Sequence, residues 1–254
     1  MINHQTSSTL LDTILLNADA VSQSFTDTTG TIHVLHQASL SVKAGQSVAL
    51  IGASGSGKST LLALLAGLDT PQSGSIKLFG QSLTTLSEED RSALRSGKYT
   101  TDISQTHYSY QKQGVGFVFQ NFQLINHLTA LENVMLALEI SFPTHSFTHQ
   151  KDIALSWLEA VGLSTQANQR ATVLSGGEQQ RVALARAFST KPAIIFADEP
   201  TGSLDYATGQ RIESLLFEQV KQHNTALVLV THDEALAKRC DTIYRIEQGK
   251  VSMI

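Results

Sequence analysis

Two glycines five residues apart, followed at once by a lysine and a serine, stand in the segment GASGSGKS at positions 52–59, the pattern G-x-x-x-x-G-K-[S/T]. A glycine-rich turn lets backbone N–H groups wrap closely around phosphate oxygens, and a helix starting behind it adds partial positive charge. In such a turn Gly52, Ser54, Gly55 and Gly57 line the cradle and Lys58 reaches the β- and γ-phosphates. Ser59 supplies a hydroxyl to Mg²⁺, and Thr60 follows as a further phosphate-side residue. A dinucleotide-binding turn is disfavoured, because G-x-G-x-x-G is absent and Lys58 has no role in it.

Two further groups have chemistry in their spacing. IIFADE at 194–199 is an apolar run ending in two carboxylates. At the C-terminal end of a buried strand they reach the crevice where open α/β sheets bind ligands. Asp198 is then the expected Mg²⁺ partner and Glu199 the expected general base for an attacking water. LSGGEQQ at 174–180 sets Ser175 and Glu178 in a capping box, with two bare glycines between them that let an anion approach closely. Each group alone has a plain structural counterpart: a flexible turn, a strand end, a well-capped helix. Their combination in one chain carries the functional reading.

The elements that must position these residues follow from periodicity. Residues 48–51 and 194–197 are short apolar runs, as expected of strands buried on both faces. Residues 58–68 carry Leu61, Leu62, Leu65 and Leu68 at helical spacing. Strands are expected at 18–25, 32–42, 75–79, 115–119, 226–230 and 242–246. Helices are expected at 87–95, 176–189, 207–222 and 233–238. A mostly helical stretch from about 127 extends, with the 176–189 helix, to about 190. Residues 1–16 read as a loose extension ahead of one domain, 17–254. Alternating strands and helices imply a mostly parallel sheet covered on both faces.

Bulk composition restricts the class. The 254 residues are 41% hydrophobic and 16% charged, enough for one α/β domain with an inserted part. The net charge of −4 argues against a dedicated nucleic-acid binder, so no nucleic-acid partner is expected. Cys240 is the only cysteine, which fits a reducing compartment and a small buried hydrophobe. The first basic residue is Lys43 and no apolar run approaches membrane-spanning length, so a cytosolic protein is expected, held at a membrane only through a partner.

Taken together, GASGSGKS, LSGGEQQ and ADEP resemble the motif set of ABC ATPases, in that family's order and over about residues 18–251. The resemblance implies an α/β fold of the P-loop NTPase type with three parts. These are a mostly parallel core, an N-terminal antiparallel β region, and a helical subdomain inserted at about 127–190. It implies ATP hydrolysis with Mg²⁺ and a head-to-tail homodimer, in which Ser175 and Gly177 contact ATP held by the other copy. Gln120 then resembles the family's Q-loop glutamine, near Mg²⁺ and the attacking water. Ser203-Leu204-Asp205 resembles the D-loop, with Asp205 at the nucleotide-bearing dimer interface. His232 resembles the histidine that senses the γ-phosphate. Phe25 stands where an aromatic stacks on adenine, although a core phenylalanine fits the position equally well. The apolar stretch 121–134, with Phe122 and Leu124, is expected to receive a helix of a membrane permease on a separate chain, at the cytoplasmic face of the inner membrane.

Finer wording such as FADEPTGSLDYATG is similar to the lipoprotein-release and macrolide-export branch, which implies export, extraction or mechanical work on hydrophobic, lipid-linked or peptide cargo. A small-nutrient importer and a soluble ABC ATPase are the alternatives. The chain departs from the branch at residues 97–113, an extra segment expected to be a surface insertion.

Overall fold

A computed structural model describes residues 13–27, 30–99 and 114–254. The expected insertion therefore lies, from residue 100 to 113, outside the described residues. Two long strands, β1 (Ile14–Asp27) and β2 (Gly30–Lys43), pair antiparallel, with register shifts that curl them. With β4 (Ser73–Leu78) and the short β5 (Gln81–Ser82) they form a sheet of order β2-β1-β4-β5. β1 begins earlier than expected: Leu15 and Leu16 are buried, so residues 14–16 belong to this sheet and not to a loose extension.

The second sheet has the order β10-β9-β3-β8-β7-β6. Its members are β3 (Ser47–Ile51), β6 (Val115–Phe119), β7 (Ile194–Asp198), β8 (Ala226–Val230), β9 (Thr242–Glu247) and β10 (Lys250–Met253). Neighbours from β9 to β6 run parallel, and β10 returns antiparallel along β9. This closing hairpin is an addition to the expected strands. Its turn holds Gln248 and Gly249 at φ 49° and 75°, the positive-φ pair of a tight hairpin.

Both faces of this sheet are covered. Ile194, Phe196, Val228 and Val230 join Leu61, Leu64 and the antiparallel sheet in one hydrophobic cluster. Ile195, Ala197, Leu227 and Leu229 point the other way, into a cluster with helical residues such as Leu138, Trp157 and Leu184. Alternation along each strand thus feeds two cores, which is why the runs are apolar without interruption.

The helices are α1 (Lys58–Leu65), α2 (Glu88–Arg95), α3 (Ala130–Ser141), α4 (Phe147–Ala160), α5 (Gly176–Ser189), α6 (Tyr206–Gln222) and α7 (Glu234–Ala237). α1 stops at Leu65, short of the expected 68. Gly67 turns left-handed at φ 68°, and the N–H groups of Gly67 and Leu68 donate to Leu64 and Ala63, which closes the helix in a Schellman motif. α3 and α4 are capped at their N-termini by Thr129 and Ser146, and they pack on each other and on α5.

Cys240 sits half-buried between the second cluster and the small Ala49–Ile51–Ala237 cluster. Burial, helped by Asp241 beside it, pushes its thiol up to about 12. Since only the thiolate attacks electrophiles, Cys240 should resist iodoacetamide at pH 8 in the folded protein and react once denatured. Mass spectrometry of the native, treated protein checks this; stoichiometric labelling would contradict it.

Candidate functional site

The register of the parallel sheet gathers the site. Leu50 lies opposite Val230, Val230 opposite Asp198, and Asp198 opposite Phe119. The chain leaves these strand ends at one edge, where Gly52, His232, Glu199 and Gln120 follow within two residues. Backbone bonds hold the exits: Glu199 N–H donates to the carbonyl of Val230 (3.0 Å), and Thr231 N–H to that of Leu50 (3.2 Å).

The phosphate loop joins β3 to α1. Gly55 and Gly57 are left-handed, at φ 75° and 99°. A Cβ at Gly57 would lie 2.9 Å from Val34 Cγ1 and 3.0 Å from the Val34 carbonyl, so the loop is pressed onto β2 where only glycine fits. At Gly55 a Cβ would meet open space. Ser54 and Ser59 are exposed and Thr60 is half-buried. The buried Lys58 ammonium donates to the carbonyls of Gly52 and Ala53, both at 2.9 Å, and so lies across its own loop. A cavity of about 780 Å³ opens beside Gly52, Ala53 and Ser56, with His232 and Arg245 in its wall.

Two carboxylates stand at the end of β7. Asp198 Oδ1 is buried with no hydrogen-bond partner among the described residues. Such an oxygen is costly unless something cationic or protic reaches it. Glu199 adopts φ 47°, a left-handed geometry that costs about 1 kcal/mol or more in a non-glycine residue and gathers at functional sites. Its Oε2 lies 2.5 Å from His232 Nδ1, and the imidazole is largely exposed.

Gln120 is exposed in the turn after β6. Its carbonyl accepts a bond from Ser203 Oγ (2.9 Å), and a Cβ at Gly202 would lie 2.9 Å from its amide nitrogen. The next residues, Phe122 and Gln123, are both left-handed at φ 58° and 52°. Arg186, near the C-terminus of α5, donates to both of their carbonyls, at 2.9 and 2.5 Å. Sequence reasoning did not find Arg186, because nothing in the local pattern marks a contact spanning more than 60 residues.

At the other end of α5, Ser175 N–H and Oγ both donate to Glu178 Oε2 (2.8 and 2.7 Å), so the expected capping box is present. These bonds, the hydroxyl's first, hold the Glu178 carboxyl below its ordinary range. Gly177 abuts α6: a Cβ there would lie 2.5 Å from Thr208 Cγ2. Ser175, Gly177, Asp205 and Arg211 line a second cavity of about 370 Å³.

Two further expected groups have these placements. Asp205 caps α6 by accepting from Thr208 N–H (3.1 Å) and lies beside Ser175 of its own chain; the Thr208 hydroxyl, and then this N–H, hold its carboxyl below its ordinary range. The stretch 121–134 is largely packed: Leu131 and Val134 are buried in the helical cluster, Leu124 packs on it, and the Phe122 ring faces Gly176. Of this stretch Gln123 reaches an open groove of about 410 Å³, lined also by Phe117, Phe119, Ala137, Ile140 and Arg186. Phe25 is 49% exposed opposite the exposed Ile32, which excludes a core role.

Among the described residues no cluster of three histidines, cysteines or carboxylates is placed to hold a metal unaided. None of the described helices is long and apolar enough to cross a membrane.

This arrangement has known counterparts. Residues 35–202 match the family model described as ABC transporter. The chain is 46% identical over 220 residues to the ABC transporter ATP-binding protein YbbA of Escherichia coli (strain K12), covering 87% of this chain and 89% of that one. It is 39% identical over 241 residues to the lipoprotein-releasing system ATP-binding protein LolD of Legionella pneumophila (strain Lens), covering 95% and 98%. Among solved structures, the dimeric ATP-binding cassette MJ0796 in a post-hydrolysis state with ADP and Pi superposes with a TM-score of 0.81 at 34% identity, over 93% of this chain and 96% of that one. With the phosphate loop, Gln120, Glu199 and His232 gathered at one sheet edge and most of its length shared with these proteins, the chain belongs to the ABC transporter family, as an ATP-binding and ATP-hydrolysing subunit.

Proposed function

We propose that two copies of this chain, joined head to tail, power a permease carried on a separate chain at the cytoplasmic face of the inner membrane. One observation supports the pairing above all others. Ser175 and Gly177 stand at the start of α5, with Gly177 against Thr208 of α6, and neither lines the cavity beside Gly52. On this reading a nucleotide held by both the phosphate loop and the signature takes the loop of one copy and the signature of the other. Asp205, capping α6 beside Ser175, stands on the face that meets the second copy. The helices of about 127–190 form the subdomain that carries the signature.

Within each composite site, Gly52, Ser54, Gly55, Gly57 and Thr60 enclose the phosphates, and Phe25 offers its exposed face to adenine. Lys58 exchanges its two carbonyl partners for phosphate oxygens. Asp198 and Ser59, with Gln120 nearby, would hold Mg²⁺. The bare Asp198 oxygen and the exposed hydroxyl fit a hard cation that completes its shell with phosphate and water. Bound there, Mg²⁺ supplies neutralisation of the developing phosphate charge. Glu199 takes the proton of the attacking water on Oε1, because Oε2 is held by His232. His232 at the same time faces the γ-phosphate, and Gln120 orients the water. Ser175 and Gly177 complete the shell from the second copy.

The lipoprotein-releasing name of one relative favours a hydrophobic or lipid-linked cargo, moved by export, extraction or mechanical work. Purification of the tagged chain from membranes, with identification of the integral protein that comes with it, tests the assignment. Hydrolysis by a chain that brings down no membrane protein would favour a soluble role.

The 410 Å³ groove is the docking place proposed for the permease. Ile140, 53% exposed on its rim, can be changed with little risk to folding. Ile140→Glu should abolish co-purification with the permease, while hydrolysis by the isolated chain stays within about twofold, as for surface substitutions away from the chemistry. An intact complex in that variant would move the docking site elsewhere.

A further inference from the structure

The turn that carries Gln120 is held from outside by side chains on two other elements. The carbonyls of Gln120, Phe122 and Gln123 accept from Ser203, Arg186 and Arg186 respectively. Phe122 and Gln123 are in the left-handed conformation, which such residues keep only where their surroundings enforce it. A guanidinium suits this task, because its planar fork fixes the directions of its N–H donors, whereas an ammonium is a compact point charge with rotatable donors.

Arg186 also belongs to the last turn of α5, the helix whose first turn carries Ser175 and Gly177. Ser175 and Arg186 are separated by roughly 16 Å along the helix axis, at 1.5 Å per residue. The first turn is held by the capping box and packed against Thr208, and α5 runs without a break from there to Arg186.

We propose that Arg186 is a positioning residue that ties the signature helix to the Gln120 turn, so that the placements of Ser175 and Gln120 are set together. This rests on the reading of Ser175 and Gln120 as parts of one composite ATP site. A permease helix in the neighbouring groove would touch Arg186 itself, so docking would bear on both ends of α5 at once.

Hydrogen exchange of the full chain, read by mass spectrometry, tests the tie without depending on catalysis. Arg186→Lys keeps the charge but loses the fixed planar fork and is shorter at its donor end. It should speed exchange at residues 122–125 and at 176–179, each by about tenfold, with thermal unfolding near that of the parent. In the same variant kcat should fall about tenfold while KM for ATP stays within about threefold, as misplacement of a reacting group predicts. Ser203→Ala should loosen the turn alone. If Arg186→Lys does not fold, the tie is read from the other end: Ser175→Ala removes the cap of α5 and should speed exchange at 122–125. Faster exchange confined to the mutated end, or an unchanged kcat in folded Arg186→Lys, overturns the proposal. A parent chain without ATP hydrolysis would refute the composite-site reading, and the exchange pattern would still decide the coupling.

Discussion

Glu199→Gln is expected to slow ATP hydrolysis at least about 100-fold while leaving ATP binding intact, the scale of losing a positioned general base. The substitution is nearly isosteric, so it disturbs neither the left-handed backbone at Glu199 nor its N–H bond to Val230. An amide can still bond His232 but cannot take a proton from water at neutral pH. The trapped nucleotide should hold two copies together, so an ATP-dependent dimer should accumulate on size exclusion. Steady-state turnover and elution volume check the two halves separately. Near-normal turnover would remove Glu199 from the chemistry, and slow turnover with no dimer would count against the composite site.

The second large effect is expected at the far end of α5. Gly177→Asp places a carboxylate at the helix end that faces phosphate and should lower hydrolysis by at least about 100-fold, the loss typical when charge stabilisation in the transition state is removed. The new Cβ also meets Thr208 Cγ2, which must rotate aside. Gly177→Ala brings the same Cβ without the charge and separates the two causes. ATP affinity of the monomer, measured by titration at low protein concentration, should stay within about threefold for both variants, because the phosphate loop lies in a different cavity. Equal loss of monomer binding would reduce the segment to a local cap, and equal inactivity of Gly177→Ala would make packing the cause.

Much of this site is written into local pattern. The strand ends that place Gly52, Glu199 and His232 could be read from apolar runs of four or five residues, because a strand buried on both faces admits little else. Ser175 announced the start of α5 through the Glu three residues on, and the structure forms both bonds of that box. The end of α1 was less legible. Leu68 fits the helical period, yet Gly67 closes the helix before it. The hairpin of β9 and β10 was missed although Gln248 and Gly249 carry a turn signal, since β10 is only four residues long and largely exposed. Phe122 and Leu124 read as apolar groups facing a permease helix, but Leu124 packs, half-buried, against the helical core. Arg186 and Ser203 lay beyond reach, as their bonds to the Gln120 turn exist only once distant elements meet.

β7 carries a requirement that its length conceals. Ile194 and Phe196 fill one core, Ile195 and Ala197 fill the other, and Asp198 and Glu199 follow without a spacer. Sliding the strand by one residue would exchange the side chains of the two cores and would also put Glu199 where Asp198 belongs. Errors of packing and errors of chemistry are therefore the same error here. The strand can accept conservative replacement of an aliphatic side chain, but an insertion or deletion of one residue forfeits stability and hydrolysis together. Drift in this part of the chain is thus confined to changes of residue type at fixed length.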